Sequence, residues 1–311
     1  MSAPRPEQFA ALARSSPWMW STLRFVVSWR GAINTGTEPV RAWIRRPHGL
    51  RVATLGGGIL TTEPSSTPWT SRSTLGADRR RNAHPPPHGP LHPDAPGPAR
   101  DADGFVLQRP VETSALRYDD PMFQDYRWVA MLDPVELANG HGRRWTEHPE
   151  PGPTLIEEPV EADHHGRPAW EAVLRPTAAY DPRCACCALL FSAESEARWS
   201  EGGGLPAHER NPGLRYPDAH RVRLDVATGV CVLTEELGGS RPGSGHELVI
   251  EAVDEQLADD LFLPPRTGLA LAGRRVKSWL GHGVSLPAPL GSAMPAASGK
   301  SKSMTITPLQ R

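Results

Sequence analysis

The first 183 residues hold no cysteine, so no thiol near the start is available for a lipid anchor. Lysine is almost absent: Lys277, Lys300 and Lys302 stand against 31 arginines. This bias reads as the coding habit of a GC-rich, actinobacterial-like genome rather than as guanidinium-specific recognition. Long apolar runs are also missing. The longest uncharged stretch, 278–299, is broken by Pro, Gly and Ser and cannot span a bilayer as a helix. The first twenty residues lack the apolar core and small-residue cleavage site of a signal peptide. The expectation is a cytoplasmic chain that is not transmembrane. Net charge is −1, which excludes the electrostatic footprint of a nucleic-acid binder for the folded part. Acidic residues are absent from 266 onward, where seven basic residues stand, leaving 27 basic against 35 acidic before it. The chain has no G-x-S-x-G, G-x-x-x-x-G-K-[ST], H-E-x-x-H or G-x-G-x-x-G. Gly202-Gly203-Gly204 follows an acidic residue and reads as a loop rather than a phosphate cradle. The expectation is a protein that is not an enzyme and carries no cofactor.

What is present is alternation. Val222, Leu224 and Val226 alternate with polar residues. The Thr228-Gly229 turn supplies a positive φ, and alternation resumes at Val230 and Val232. A third run covers 248–253. Earlier runs at 23–29, 40–45, 50–55 and 59–61 read as a meander. Runs at 155–161 and 169–175 flank a His164-His165-Gly166-Arg167 turn, and 186–192 reads as a further strand. Residues 5–20 read as a short helix with Phe9, Leu12 and Ala13 on one face. Asp133-Pro134-Val135-Glu136 has the grammar of a helix start, with Asp133 as N-cap. The sum is an α+β fold, an antiparallel sheet with helices on one side.

The expected organisation has three parts. Residues 1–22 form an N-terminal segment that is partly helical. Residues 23–263 form a single β domain, interrupted by a Pro/His-rich disordered insert at 63–104. Residues 264–311 form a basic tail whose composition cannot offset its ordering entropy.

Three pieces carry a family resemblance. One is Val40-Arg41-Ala42-Trp43-Ile44-Arg45-Arg46-Pro47-His48-Gly49-Leu50-Arg51-Val52. Another is the turn and strand from Gly166 to Leu174. The third is the hairpin from Leu224 to Val230, followed by the run 248–253 and a closing Asp259-Asp260-Leu261-Phe262. Their order, over 23–62 and 105–263, resembles the LolA/LolB-like lipoprotein-carrier superfamily. The resemblance implies a strongly curved antiparallel half-barrel closed by helices over an apolar cavity. It implies binding of a lipid, another hydrophobic small molecule or a partner protein's hydrophobic segment. Trp29, Trp43, Trp128 and Trp170 are then the candidate cavity residues, although ordinary core packing is the simpler reading for them.

The cysteines offer an alternative of a different class. Cys184, Cys186 and Cys187 cluster in C-x-C-C, and thiolates in a cluster hold zinc or enter redox chemistry. The spacing is not the usual C-x₂₋₄-C knuckle, and adjacent cysteines rarely reach one ion, so structural cysteines are the first expectation. Cys231 falls among inward-facing positions and reads as a core residue. His84, His88 and His92 recur every four residues, but the prolines between them forbid a helical metal face. His164 and His165 read as turn residues, and His141 and His148 as surface.

Overall fold

Apolar side chains at every second position build the sheet. The structure is a computed structural model that describes residues 3–31, 38–63, 97–109, 120–139 and 152–265. Strands β1 (Thr22–Arg30), β2 (Val40–Arg45), β3 (Gly49–Thr54) and β4 (Ile59–Glu63) come first. A small hairpin of β5 (Ala99–Arg100) and β6 (Val106–Gln108) follows. Then come β7 (Thr154–His164) and β8 (Arg167–Pro176). The chain closes with β9 (Ala219–Asp225), β10 (Cys231–Leu237) and β11 (Gly245–Val253). Nine strands form one sheet in the order β4-β3-β2-β1-β11-β10-β9-β8-β7. Every pairing in it is antiparallel.

The inward face carries Leu23, Phe25 and Val27 of β1, Ala42 and Ile44 of β2, and Leu50 and Val52 of β3. Val222 and Leu224 of β9 and Leu248 of β11 extend it. Each such fully buried large side chain stabilises the fold by about 1.5–3 kcal/mol. The outward face is laced with ion pairs. Arg41 bonds Glu251 at 2.8 Å, Arg223 bonds Glu171 at 2.6 Å and Arg221 bonds Glu235 at 2.5 Å. These cross-strand pairs explain why arginine and glutamate alternate with the apolar set.

Helix α1 (Pro6–Ser15) lays Phe9, Leu12 and Ala13 on the core. Helix α2 (Tyr126–Leu132) adds Trp128, Met131 and Leu132. Helices α3 (Ala193–Glu201) and α4 (Ala207–Arg210) follow. The β9–β10 turn passes close beneath α1. A Cβ on Gly229 would stand 2.8 Å from the Leu12 carbonyl oxygen, and its φ is +68°. Glycine is therefore required twice over, for the turn and for the approach. On β7 the register shifts between Glu157 and Val160, where Pro159 sits. An edge strand tolerates that missing donor at a bulge.

Several expectations are corrected. The sheet is open: β4 and β7 are its two edges, and no ladder among the described residues joins them. It is not the half-barrel anticipated from the order of its pieces. Nor do the described residues enclose an acyl-sized chamber around the four tryptophans. The cavity behind residues 188–191 measures about 10 Å³, room for about one water. Asp133 does not start a helix. It closes α2, and a 3-10 turn at Val135–Leu137 follows. The run 186–192 is not a strand. It is a 3-10 turn at Ala185–Cys187 and a buried loop that leads into α3, where Ser192 and Ser195 cap each other reciprocally. The insert expected at 63–104 lies outside the described residues from 64 to 96, and its last part forms β5. The tail from 266 onward lies outside them too. Among the described residues, no helix is long and apolar enough to cross a membrane.

Candidate metal centre

The thiol cluster stands on a loop whose ends are tied to one buried carboxylate. Glu136, in the 3-10 turn after α2, accepts hydrogen bonds from the Arg183 and Leu189 backbone N–H groups, both at 2.9 Å. It also accepts one from the Tyr180 hydroxyl at 2.6 Å, and that hydroxyl accepts from the Leu190 N–H at 3.1 Å. Residues 184–188 are thus strapped on both sides. Arg127 adds a third tie by donating to the Ala188 carbonyl at 3.2 Å. Arg183 in turn bonds Asp133 at 2.8 Å. Burial pushes the Glu136 carboxyl up, and its hydrogen bond from Tyr180 pulls the other way.

Within this strap the 3-10 turn gathers the sulfurs. The Sγ atoms of Cys184, Cys186 and Cys187 lie within 4.8 Å of one another. Cys184 approaches Cys186 to 2.8 Å, and Cys186 lies 3.7 Å from Cys187. With zinc–sulfur bonds of about 2.3 Å, tetrahedral sulfurs stand about 3.8 Å apart. Two of these three thiols already have that separation, and the third needs to open by about 1 Å. All four cysteines are free; Cys186 is exposed, Cys184 half-buried and Cys187 buried. Hydrogen bonds from Cys186 and then Cys187 hold the Cys184 thiol well below its usual range. The same bonds, with burial, push the protons onto Cys186 and Cys187. One thiolate is thus favoured in advance, which is the form that binds metal.

The sequence argument against a shared ion fails at the turn. Adjacent residues diverge on a strand, but here the backbone curls at Ala185–Cys187 and brings both side chains to one side. Cys231 stands apart, fully buried, with its thiol donating to the Leu233 carbonyl at 3.5 Å. A second convergence lies elsewhere: His164, His165 and Glu247 also place donor atoms within 4.8 Å of one another. In the sequence the two histidines read as turn residues, where a polar pair needs no function; their partner Glu247 lies 82 positions from His165. His84, His88, His92, His141 and His148 lie outside the described residues.

The four tryptophans do not converge. Trp128 is buried in the core against Phe25 and Phe123, with ring centroids 5.3 and 5.4 Å away. Trp170 packs on Phe105 at 5.5 Å and Trp29 on His246 at 5.7 Å. Trp43 alternates with the core residues of β2 and meets Arg51 at 5.7 Å. None of them lines the small cavity, which is bordered by His220, Thr234, Glu236 and Ser244 beside Arg127 and Leu189.

No protein-family model, no curated protein and no solved structure matches this chain. The resemblance to the lipoprotein-carrier superfamily therefore finds no support, and the open sheet and water-sized cavity oppose the lipid-binding reading drawn from it. The clustered thiols favour the metal or redox alternative instead.

Proposed function

We propose that this protein binds a thiophilic metal ion through Cys184, Cys186 and Cys187, in a binding role without a catalytic step. The observation that supports this is the convergence of three sulfurs within 4.8 Å on a loop fixed at both ends by Glu136. Three thiolates suit soft or borderline ions such as Cu(I) and Zn(II), and carboxylate-preferring ions such as Mg(II) are disfavoured. The exposed Cys186 gives an ion access from solvent. A reducing, cytoplasmic compartment would keep the thiols available.

The reduced, full-length chain is expected to take up one equivalent of Cd(II) or Zn(II). An ultraviolet sulfur-to-metal charge-transfer band should accompany Cd(II). Cys186→Ser should abolish the band while leaving the fold intact, because that side chain is exposed. Absence of any thiolate band with anaerobic, fully reduced protein would sink the proposal. A second reading rests on the 2.8 Å approach of Cys184 to Cys186. These two thiols would give up two protons and two electrons to glutathione disulfide and become a disulfide. A mass loss of two hydrogens, localised by peptide mapping, would support that reading.

A further inference from the structure

The hairpin that joins β7 to β8 crosses to a strand it does not pair with. In the sheet order β8, β9 and β10 lie between β7 and β11. Even so, the ring Nε2 of His164 lies 3.0 Å from the Leu248 carbonyl oxygen, and that of His165 lies 2.9 Å from a Glu247 carboxylate oxygen. His164 is the last residue of β7. His165 has φ +53°, so the chain turns there instead of alternating. The two rings consequently meet edge-on, with centroids 4.7 Å apart.

We propose that His164, His165 and Glu247 form a second cation site, suited to a borderline divalent ion of the zinc class, distinct from the thiol cluster. Two imidazoles and one carboxylate are a donor set that zinc accepts, with a fourth position left to water. With metal–ligand bonds of about 2.0–2.1 Å, nitrogen and oxygen on one tetrahedral ion stand about 3.3 Å apart. The present 2.9 Å between His165 and Glu247 needs only a slight opening. A carbonyl can only accept, so His164 donates its Nε2–H to Leu248. That leaves the Nδ1 lone pair for an ion. A ligating histidine is commonly oriented in this way, its other ring nitrogen bonded to a backbone carbonyl. His164 is buried, whereas the side chains of His165 and Glu247 are 46% and 32% exposed, which opens a path from solvent. Arg30 and Arg223 act on this cluster as positive charges and limit its affinity. Arg223 is partly offset by its 2.6 Å bond to Glu171. An ion here would tie β7 to β11, which are not neighbours in the described sheet.

The test uses the full-length chain with Cys184, Cys186 and Cys187 all changed to Ser, so that failure of the thiol proposal does not affect it. Should that variant not fold, the parent with its accessible thiols capped serves instead. Co(II) should bind at one equivalent and give visible d–d bands without thiolate charge transfer, and Zn(II) should displace it. His165→Asn tolerates the positive φ, and Glu247→Gln keeps the side-chain shape. Each should weaken Co(II) at least tenfold and remove the Zn(II)-induced rise in melting temperature. No Co(II) uptake, or an affinity unchanged in either variant, would overturn the site.

Discussion

Two histidines are buried in forms that acid must disturb. His246 is wholly inside, with its Nε2 bonded to the Cys231 carbonyl at 2.8 Å and its Nδ1 to the Thr234 hydroxyl at 2.9 Å. A carbonyl can only accept, so the proton sits on Nε2 and Nδ1 accepts from Thr234. Burial lowers its pKa from 6.5 to about 3, with Arg127 and Arg30 adding to the effect and the Cys231 bond opposing it. His220 borders the small cavity. Its ring approaches the Phe191 backbone without closing a well-formed hydrogen bond, and burial lowers its pKa to about 4. Both folded values lie below the unfolded one. Their stabilising contribution is therefore complete above 6.5 and is lost as pH falls toward the folded values. One pH unit below 6.5, each neutral histidine costs the fold about 1.4 kcal/mol relative to neutrality, about 3 kcal/mol for the pair. At about 2–4 °C per kcal/mol, this pair taken alone would lower the melting temperature by roughly 6–12 °C. Asp125, Glu136 and Glu236 have raised values, chiefly through burial, and work in the opposite direction. The decisive measurement is thus a difference between variants. Urea titrations of the parent and of His246→Asn, near neutrality and at about pH 5.5, should give a pH slope shallower by about 1.4 kcal/mol in the variant. Equal slopes would refute the claim that His246 is held neutral by its surroundings.

Two further substitutions probe how the thiol loop and the sheet are held. Glu136→Ala strips the acceptor from two buried donors and one half-buried donor and should cost about 3–9 kcal/mol in denaturant unfolding, at about 1–3 kcal/mol for each donor left bare. The same change should weaken metal uptake by the thiols, since both ends of their loop are released. Gly229→Ala forces a Cβ to 2.8 Å from the Leu12 carbonyl oxygen at a φ of +68° and should cost about 2–4 kcal/mol, read as a lowered urea midpoint.

Strand positions were legible because burial alternates where one face of a strand meets the core. The β2 run from Val40 to Arg45 is the clearest case, buried at every second residue. The turn at Thr228-Gly229 was legible for the same local reason, since only a positive φ closes it. The segment 186–192 was misread because its apolar run is equally compatible with a strand and with a buried loop, and period alone does not separate them. Its true neighbour, the cap Ser192, was overlooked, and α3 with it. Asp133 has cap grammar, but Arg109 and Arg183 bond its carboxylate, so it serves an ion-pair cluster at a helix end.

The thiol site was legible in the sequence only as the alternative reading, and the histidine site not at all, for one shared physical reason. Spacing rules assume that side chains follow the period of a helix or a strand. Cys186-Cys187 and His164-His165 are adjacent pairs, which on a strand would point to opposite faces. Both instead sit at turns, one in a 3-10 turn and one where φ is +53°, and a turn redirects successive side chains toward the same side. The remaining partners come from far along the chain: Glu136 reaches the thiol loop from 47 and 53 positions away, and Glu247 meets His165 across 82. No local pattern encodes those distances. They exist because the sheet brings a hairpin tip against β11 and the 3-10 turn after α2 beneath residues 183–189. Adjacent ligand-type residues at a predicted turn therefore merit a metal reading even where their spacing, judged on a regular element, argues against one.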